Sequence, residues 1–148
     1  MVALSYYDAE TVSMVSSDIR TQTLFFYDVT LVRKAGNGYV GYKILSAVSD
    51  MLARFMMENE GSVLCFYCDA DTEVRRSHTN MLPQEYRSVL FSRMFDIYVK
   101  SHNLHDFINH RIEIDDAVNP HKRQFAHFIC RKEDEDAVVA LGHSLMQK

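Results

Sequence analysis

From residue 107 to residue 114 the chain alternates. Ile108, Ile112 and Ile114 fall on one side, and Asn109, Arg111 and Glu113 on the other. This period of two predicts a β-strand with one face toward a core. Residues 124–131 predict a second strand around Phe125, Phe128 and Ile129, and residues 115–123 join the two as a long hairpin loop. Residues 62–68 behave differently. Val63, Leu64, Cys65, Phe66 and Tyr67 form a nearly unbroken apolar run, the pattern of a central strand covered on both faces. Residues 23–34, rich in Phe25, Phe26, Tyr27, Val29, Leu31 and Val32, predict a further strand. A short strand is expected at residues 11–16, joined to it by the polar stretch 17–22.

Between these segments the period changes to three or four. Ile44, Leu45, Val48, Met51, Leu52, Phe55 and Met56 mark an amphipathic helix that begins near Tyr39 and closes at residues 59–61, with Gly61 as a left-handed cap. A strand directly after this helix suggests a crossover unit. Residues 83–100 return to helical spacing through Tyr86, Val89, Leu90, Met94, Ile97 and Tyr98. A last helix begins at Glu133 or Asp134, with Val138, Leu141 and Leu145 on its inner stripe. Its first turn carries the acidic run Glu133-Asp134-Glu135-Asp136, where the helix dipole favours negative charge. The expected order is ββαβαββα in one α+β domain spanning residues 1–148, a mainly antiparallel sheet with the helices packed on one face.

At 148 residues and 47% apolar content, the chain can bury a full core without disulfides or metal. The net charge of −4 weighs against a partner gripped mainly through phosphates, so nucleic acid is not expected. No apolar run approaches the roughly 20 residues that span a bilayer, and the first eight residues lack the pattern of a secretory signal. Three cysteines, Cys65, Cys68 and Cys130, suggest reduced thiols and a cytoplasmic home.

The spacing Cys65-x-x-Cys68 matches redox and zinc motifs, but residues three apart on a strand face opposite ways, so a structural role is expected. The most polar stretch follows the end of the 62–68 strand, where ligands often sit at the edge of a sheet. Asp69, Asp71, Arg75 and Arg76 there, with Arg87 on the following helix, form the candidate ligand-binding set. The arginines would clamp an anion, and Asp69 or Asp71 would serve as base or metal ligand. The calcium-loop pattern is absent, because Val74 stands at its sixth position and Asn80 at its twelfth. Gly36, Gly38 and Gly41 have Gly-x-Gly-x-x-Gly spacing, but a tight turn is the simpler account. His102 and His105 lie near a helix end, where imidazolium groups stabilise the dipole without binding metal, and His127 reads as a satisfied core or edge histidine. No metal or cofactor is selected by these patterns.

Arg54-Phe55-Met56, Tyr67-Cys68-Asp69 and the segment from Arg87 through Leu90-Phe91 to Phe95 give the middle of the chain a resemblance to a family of bacterial proteins of unknown function common in Bacteroidetes. That pattern carries Tyr-x-Cys-Asp after an apolar strand and Arg-x-x-Leu-Phe-x-x-Trp-Phe on the following helix. Met94 stands where the pattern prefers Trp, and the segment from Asp69 to Arg87 is longer than usual. The resemblance implies a small bacterial intracellular protein and no particular activity. Three functional readings follow. The first is a non-enzymatic binding or interaction module with a protein partner or a homo-oligomeric state. The second is an enzyme or ligand-binding protein for a phosphate- or carboxylate-bearing molecule such as a nucleotide or acyl-CoA. The third is a toxin–antitoxin-like component.

Overall fold

The computed structural model describes residues 2–6, 24–31, 42–70 and 80–146. Residues 11–23, where a first strand and its loop were expected, lie outside the described residues, as do Gly36, Gly38 and Gly41. The elements are β1 (Val2–Tyr6), β2 (Phe25–Leu31), α1 (Tyr42–Glu58), β3 (Ser62–Cys68), α2 (Pro83–His102), β4 (Phe107–Ile114), β5 (Gln124–Arg131) and α3 (Glu135–Met146). The strands form one five-stranded sheet in the order β1-β2-β3-β5-β4. Among the described residues only β2 and β3 run parallel, and α1 is the crossover between them. The other three pairs are antiparallel. This is an α+β architecture, and its first strand stands at Val2–Tyr6.

Local chemistry sets the boundaries. Asn59 closes α1 twice on the Phe55 carbonyl, through its backbone N–H at 3.0 Å and its side-chain amide at 2.7 Å. Gly61 then adopts φ 73°, which a residue without Cβ reaches freely, and β3 begins. Pro83 opens α2, where its missing N–H leaves no helical bond unmade. Asn103 ends α2 in the left-handed region at φ 56°, its N–H bonded to the Val99 carbonyl. A short 3₁₀ turn at Lys132–Asp134 precedes α3.

The alternation along each strand divides the side chains into two cores. On one face Phe26, Val63, Ile112, Ala126, Phe128 and Cys130 pack beneath Val138 and Leu141 of α3. On the other, Val29, Leu64, Phe107 and Ile129 pack with Leu52 and Met56 of α1, joined by Phe91 and Phe95 of α2. The helices therefore cover both faces, not one as the sequence pattern suggested. The physical reason lies in β3, whose buried Val63 and Leu64 point to opposite faces and each need cover. α3 comes very close to the sheet. A Cβ at Gly142 would sit 2.7 Å from Ile112 Cδ1. α2 also lies close, whereas α1 stands off, reaching the sheet through the long side chains of Leu52 and Met56.

Leu64, 1% exposed on the central strand, tests this account. Leu64→Ala removes buried methyl groups and leaves a void beneath α1, at a cost of about 2–5 kcal/mol. A urea titration should show a lower midpoint with an unchanged slope.

Candidate functional site

The face of the sheet beneath α2 is polar at its centre. Asn109 and Arg111 of β4 and His127 of β5 lie on that face, with His127 directly opposite Arg111 in the ladder. A helix laid over them must supply polar partners, because an unpaired buried polar group costs about 1–3 kcal/mol. α2 does so by turning inward the seam Gln84, Ser88, Phe91 and Phe95, residues spaced four, three and four apart. Gln84 donates from Nε2 to the carbonyls of His121 and Arg123, both at 2.9 Å, which ties the first turn of α2 to the β4–β5 connection.

Ser88 and His127 are both wholly buried, with 0% exposure. His127 Nδ1 lies 3.1 Å from Asn109 Oδ1, which can only accept, so Nδ1 carries the proton. Nε2 then accepts from Ser88 Oγ at 2.8 Å, and Ser88 Oγ in turn accepts from Arg111 Nε at 2.7 Å. Asn109 Nδ2 reaches Ser92 Oγ at 3.4 Å. The Phe91 ring meets the imidazole edge-on at 4.8 Å, and the Arg111 guanidinium lies over the Phe125 ring at 4.3 Å. Burial, then the Arg111 charge, pulls His127 down to about 4, so the imidazole is neutral at neutral pH.

The order serine, histidine, asparagine mimics a nucleophile, its base and the group that orients the base. No substrate reaches it, since both reacting atoms are enclosed and Ser88 Oγ is engaged by Arg111 as well as by the imidazole. The network is a spine that fixes α2 to the sheet.

Fixing α2 this way points its apolar residues outward. Val89, Leu90 and Ile97 are 38%, 40% and 55% exposed. The helical spacing at 83–100 combines an outer ridge of Val89, Leu90 and Ile97 with the pocket-lining Met94 and Tyr98, and the buried seam is partly polar. Between α1 and α2 lies an apolar pocket of about 90 Å³, lined by Leu52, Ala53 and Met56 on one wall, Met94, Phe95 and Tyr98 on the other, and Leu64 and Phe66 on its floor. Leu90 and Ile97 stand one turn to either side of Met94, and the exposed Met57 one turn beyond Ala53, so they extend the walls outward. Tyr98 Oη donates to Asp50 Oδ1 at 2.7 Å, a clasp from α2 to α1. Burial and that bond hold the phenol at about 12, so it stays a neutral donor. His102 stacks on the Tyr98 ring at 4.0 Å. Ser49 also lines the pocket, and its hydroxyl bonds back to the Leu45 carbonyl at 3.0 Å. The two hydroxyl groups on the wall thus have partners elsewhere.

The sequence-nominated residues fall as follows. Asp69 follows β3 at the rim of the sheet, and Arg87 reaches it from α2, donating to the Asp69 carbonyl and approaching its carboxylate Oδ1 at 3.4 Å. The structure brings these two together as an ion pair that pins the β3 end to α2. Asp71, Arg75 and Arg76 lie outside the described residues. Cys65 faces the α3 core and Cys68 the α2 side, as their odd spacing requires. Burial, then Asp28, raises Cys65 to about 12, and burial, then nearby Asp134 and Glu135, raises Cys130 to about 12, so neither is a ready nucleophile. Among the described residues no group of three or more His, Cys, Asp or Glu side chains is placed to hold a metal ion. No helix among them is long and apolar enough to cross a membrane. Compared with known proteins, the chain matches no family model, no curated protein and no solved structure.

The buried histidine makes stability depend on pH. An unfolded chain takes up a proton at His127 near 6.5, whereas the folded protein resists until about 4. Stability is therefore full above pH 6.5 and falls as pH drops through that window, by roughly 3 kcal/mol for this group. Urea unfolding at pH 7, 6, 5 and 4 should show this decline, and His127→Gln should flatten it between pH 6.5 and 4.

Proposed function

We propose that the protein is a non-enzymatic interaction module that seats an apolar side chain of a protein partner in the groove between α1 and α2. The observation that carries this reading is the inversion of α2, which buries Gln84 and Ser88 and exposes Val89, Leu90 and Ile97. Polar residues at those three outer positions would leave the sheet-side packing untouched, so the exposed apolar ridge is explained by what it meets in solution. The pocket behind the ridge has the size of an anchor site. Its cavity of about 90 Å³ is smaller than the ~150 Å³ that admits benzene. A leucine, isoleucine or methionine side chain matches it. Arg93, Asp96 and Lys100 are exposed along the same helix and supply the polar rim that such interfaces carry around an apolar centre. An amphipathic helix laid along the groove would present its anchor at one position and its charged flank to this rim.

Neither the anion-binding reading nor the toxin–antitoxin reading gains an observation from the described residues, whose share of the nominated site is the Asp69–Arg87 ion pair. The resemblance to the Bacteroidetes family carries no activity and neither adds to the reading nor opposes it. We place the protein in the bacterial cytoplasm, a reading supported by three free cysteines in a chain whose core needs no staple.

Selection of amphipathic helical peptides from a display library against the protein, followed by titration of the winners, tests the assignment. Ile97→Glu and Ala53→Phe, one charging the ridge and the other filling the pocket, should each weaken those peptides at least about tenfold while the melting temperature stays within a few degrees. Peptides that bind both variants as tightly as the unmodified protein would sink it.

A further inference from the structure

β4 ends the sheet. It pairs with β5 over its whole length, Phe107 with Arg131 through Ile114 with Gln124, and carries no strand on its other side among the described residues. The eight residues run without a proline or a bulge, so one complete row of backbone donors and acceptors faces outward. We propose that this edge joins a second copy of the chain, β4 running antiparallel to β4 about a two-fold axis centred on Ile112.

Symmetry and charge select this centre. A two-fold axis perpendicular to the sheet keeps each face on its own side, so residues directly opposite one another share a face and the axis passes a residue that meets itself. Centring on Arg111 opposes two guanidinium groups, and centring on Glu113 opposes two carboxylates. Centring on His110 places Glu113 against the apolar Phe107 and Arg111 against neutral Asn109. Centring on Ile112 sets Arg111 opposite Glu113 twice over, once on each side of the axis, and places Ile112 against itself and His110 against Ile114. Opposite charges directly across a ladder stabilise it, and like charges destabilise it.

Both charged side chains are held in place by contacts within the chain. Arg111 and Glu113 are both exposed on the α2 side of the sheet. Arg111 is oriented by its Nε bond to Ser88 and its place over the Phe125 ring. It is absent from the ion pairs of the described residues, which are Arg87–Asp69, His102–Asp50 and the two that Arg123 makes with Glu85 and Glu113. Arg123 Nη1 steadies Glu113 Oε1 at 3.0 Å. Charged residues on an edge ordinarily prevent indiscriminate strand addition. In this order like charges meet in the registers centred on Arg111 and Glu113, and opposite charges meet in the one centred on Ile112. The resulting sheet of two copies carries both α1–α2 grooves on the same side, since the axis preserves the faces.

Sedimentation velocity over a range of concentrations, with a thermal melt of each variant as a folding check, decides the matter. The unmodified protein should sediment as a dimer. Glu113→Arg and Arg111→Glu should each weaken dimerisation by about tenfold or more, and the double exchange R111E/E113R should restore it, because opposite charges again face one another. Arg111→Cys mixed with Glu113→Cys should give a disulfide-linked pair under mild oxidation, while either variant alone should not. This second measurement reads the register directly, and the thermal melt of Arg111→Cys, which loses the same bond to Ser88, checks its fold. A monomer at every concentration, a double exchange no better than its single variants, or cross-linking as efficient in one variant alone as in the mixture would overturn the proposal.

Discussion

His127 sits at the centre of a sheet face with each ring nitrogen bonded, Nδ1 to Asn109 and Nε2 to Ser88, and with the Phe91 ring against its edge. A neutral imidazole has one donor and one acceptor, and both are used. Either bond alone could be formed by a side chain from several directions. The bonds of Ser88 to His127 and Arg111, with those of Gln84 to the His121 and Arg123 carbonyls, set the rotation of α2 about its own axis. The cost of violating this constraint is several buried polar groups left unpaired, each worth about 1–3 kcal/mol. Burying one more leucine from the outer ridge would gain only about 1.5–3 kcal/mol. The polar spine therefore outweighs the apolar residues in deciding which side of α2 faces the sheet.

The same comparison explains why the two faces differ. On the α3 side the strands present Phe26, Val63, Ile112 and Phe128, and a helix with Val138, Leu141 and the bare Gly142 can settle directly onto them. On the other side α2 is held close by hydrogen bonds of fixed length, while α1 rests on the longer, flexible side chains of Leu52 and Met56. Two helices at unequal heights above one sheet leave a gap between them, and the apolar pocket occupies it. The Tyr98–Asp50 bond spans that gap. It gives α1 a polar attachment to α2.

How much of this was legible in the sequence follows from which signals are local. The strand at Phe107–Ile114 was, because alternation with one apolar face has a single reading, and the one at Gln124–Arg131 was through its bulky apolar residues Phe125, Phe128 and Ile129. The central place of residues 62–68 was legible for the same kind of reason. That run also implied cover on both faces, so helices on one face were already in tension with it. The orientation of α2 was hidden, since apolar spacing by itself names a stripe and not the side it faces. The missing clue lay in another part of the chain. Asn109 and Arg111 share a face of β4, and Gln84 and Ser88 lead, in successive steps of four and three residues, into the seam that ends at Phe91 and Phe95. Only tertiary pairing makes those two facts one. Of the nominated residues on the loop, Asp69 alone lies among the described residues. The acidic end of β3 does arrive at the rim, as Asp69, but its carboxylate meets Arg87, a pairing that any fold bringing the N-terminal turns of α2 beside β3 would produce.

Exposed apolar residues are common on protein surfaces and most need no explanation. Val118, 93% exposed on the β4–β5 connection, is of that kind, since nothing in its position constrains it. Val89, Leu90 and Ile97 differ because they share a helix whose inner face is already settled by hydrogen bonds. The chain keeps Ser88 and Gln84 where a helix over a sheet usually carries leucine, and keeps leucine and isoleucine where it usually carries lysine or glutamate. Folding alone favours neither choice at the outer positions, because those side chains touch little of the core. Their apolar character gains free energy only when another surface removes them from water, at roughly 25 cal/mol for each square ångström covered. An inward polar spine and an outward apolar ridge on one helix thus separate the two tasks of α2, holding the sheet by hydrogen bonds and leaving its hydrophobic side for association.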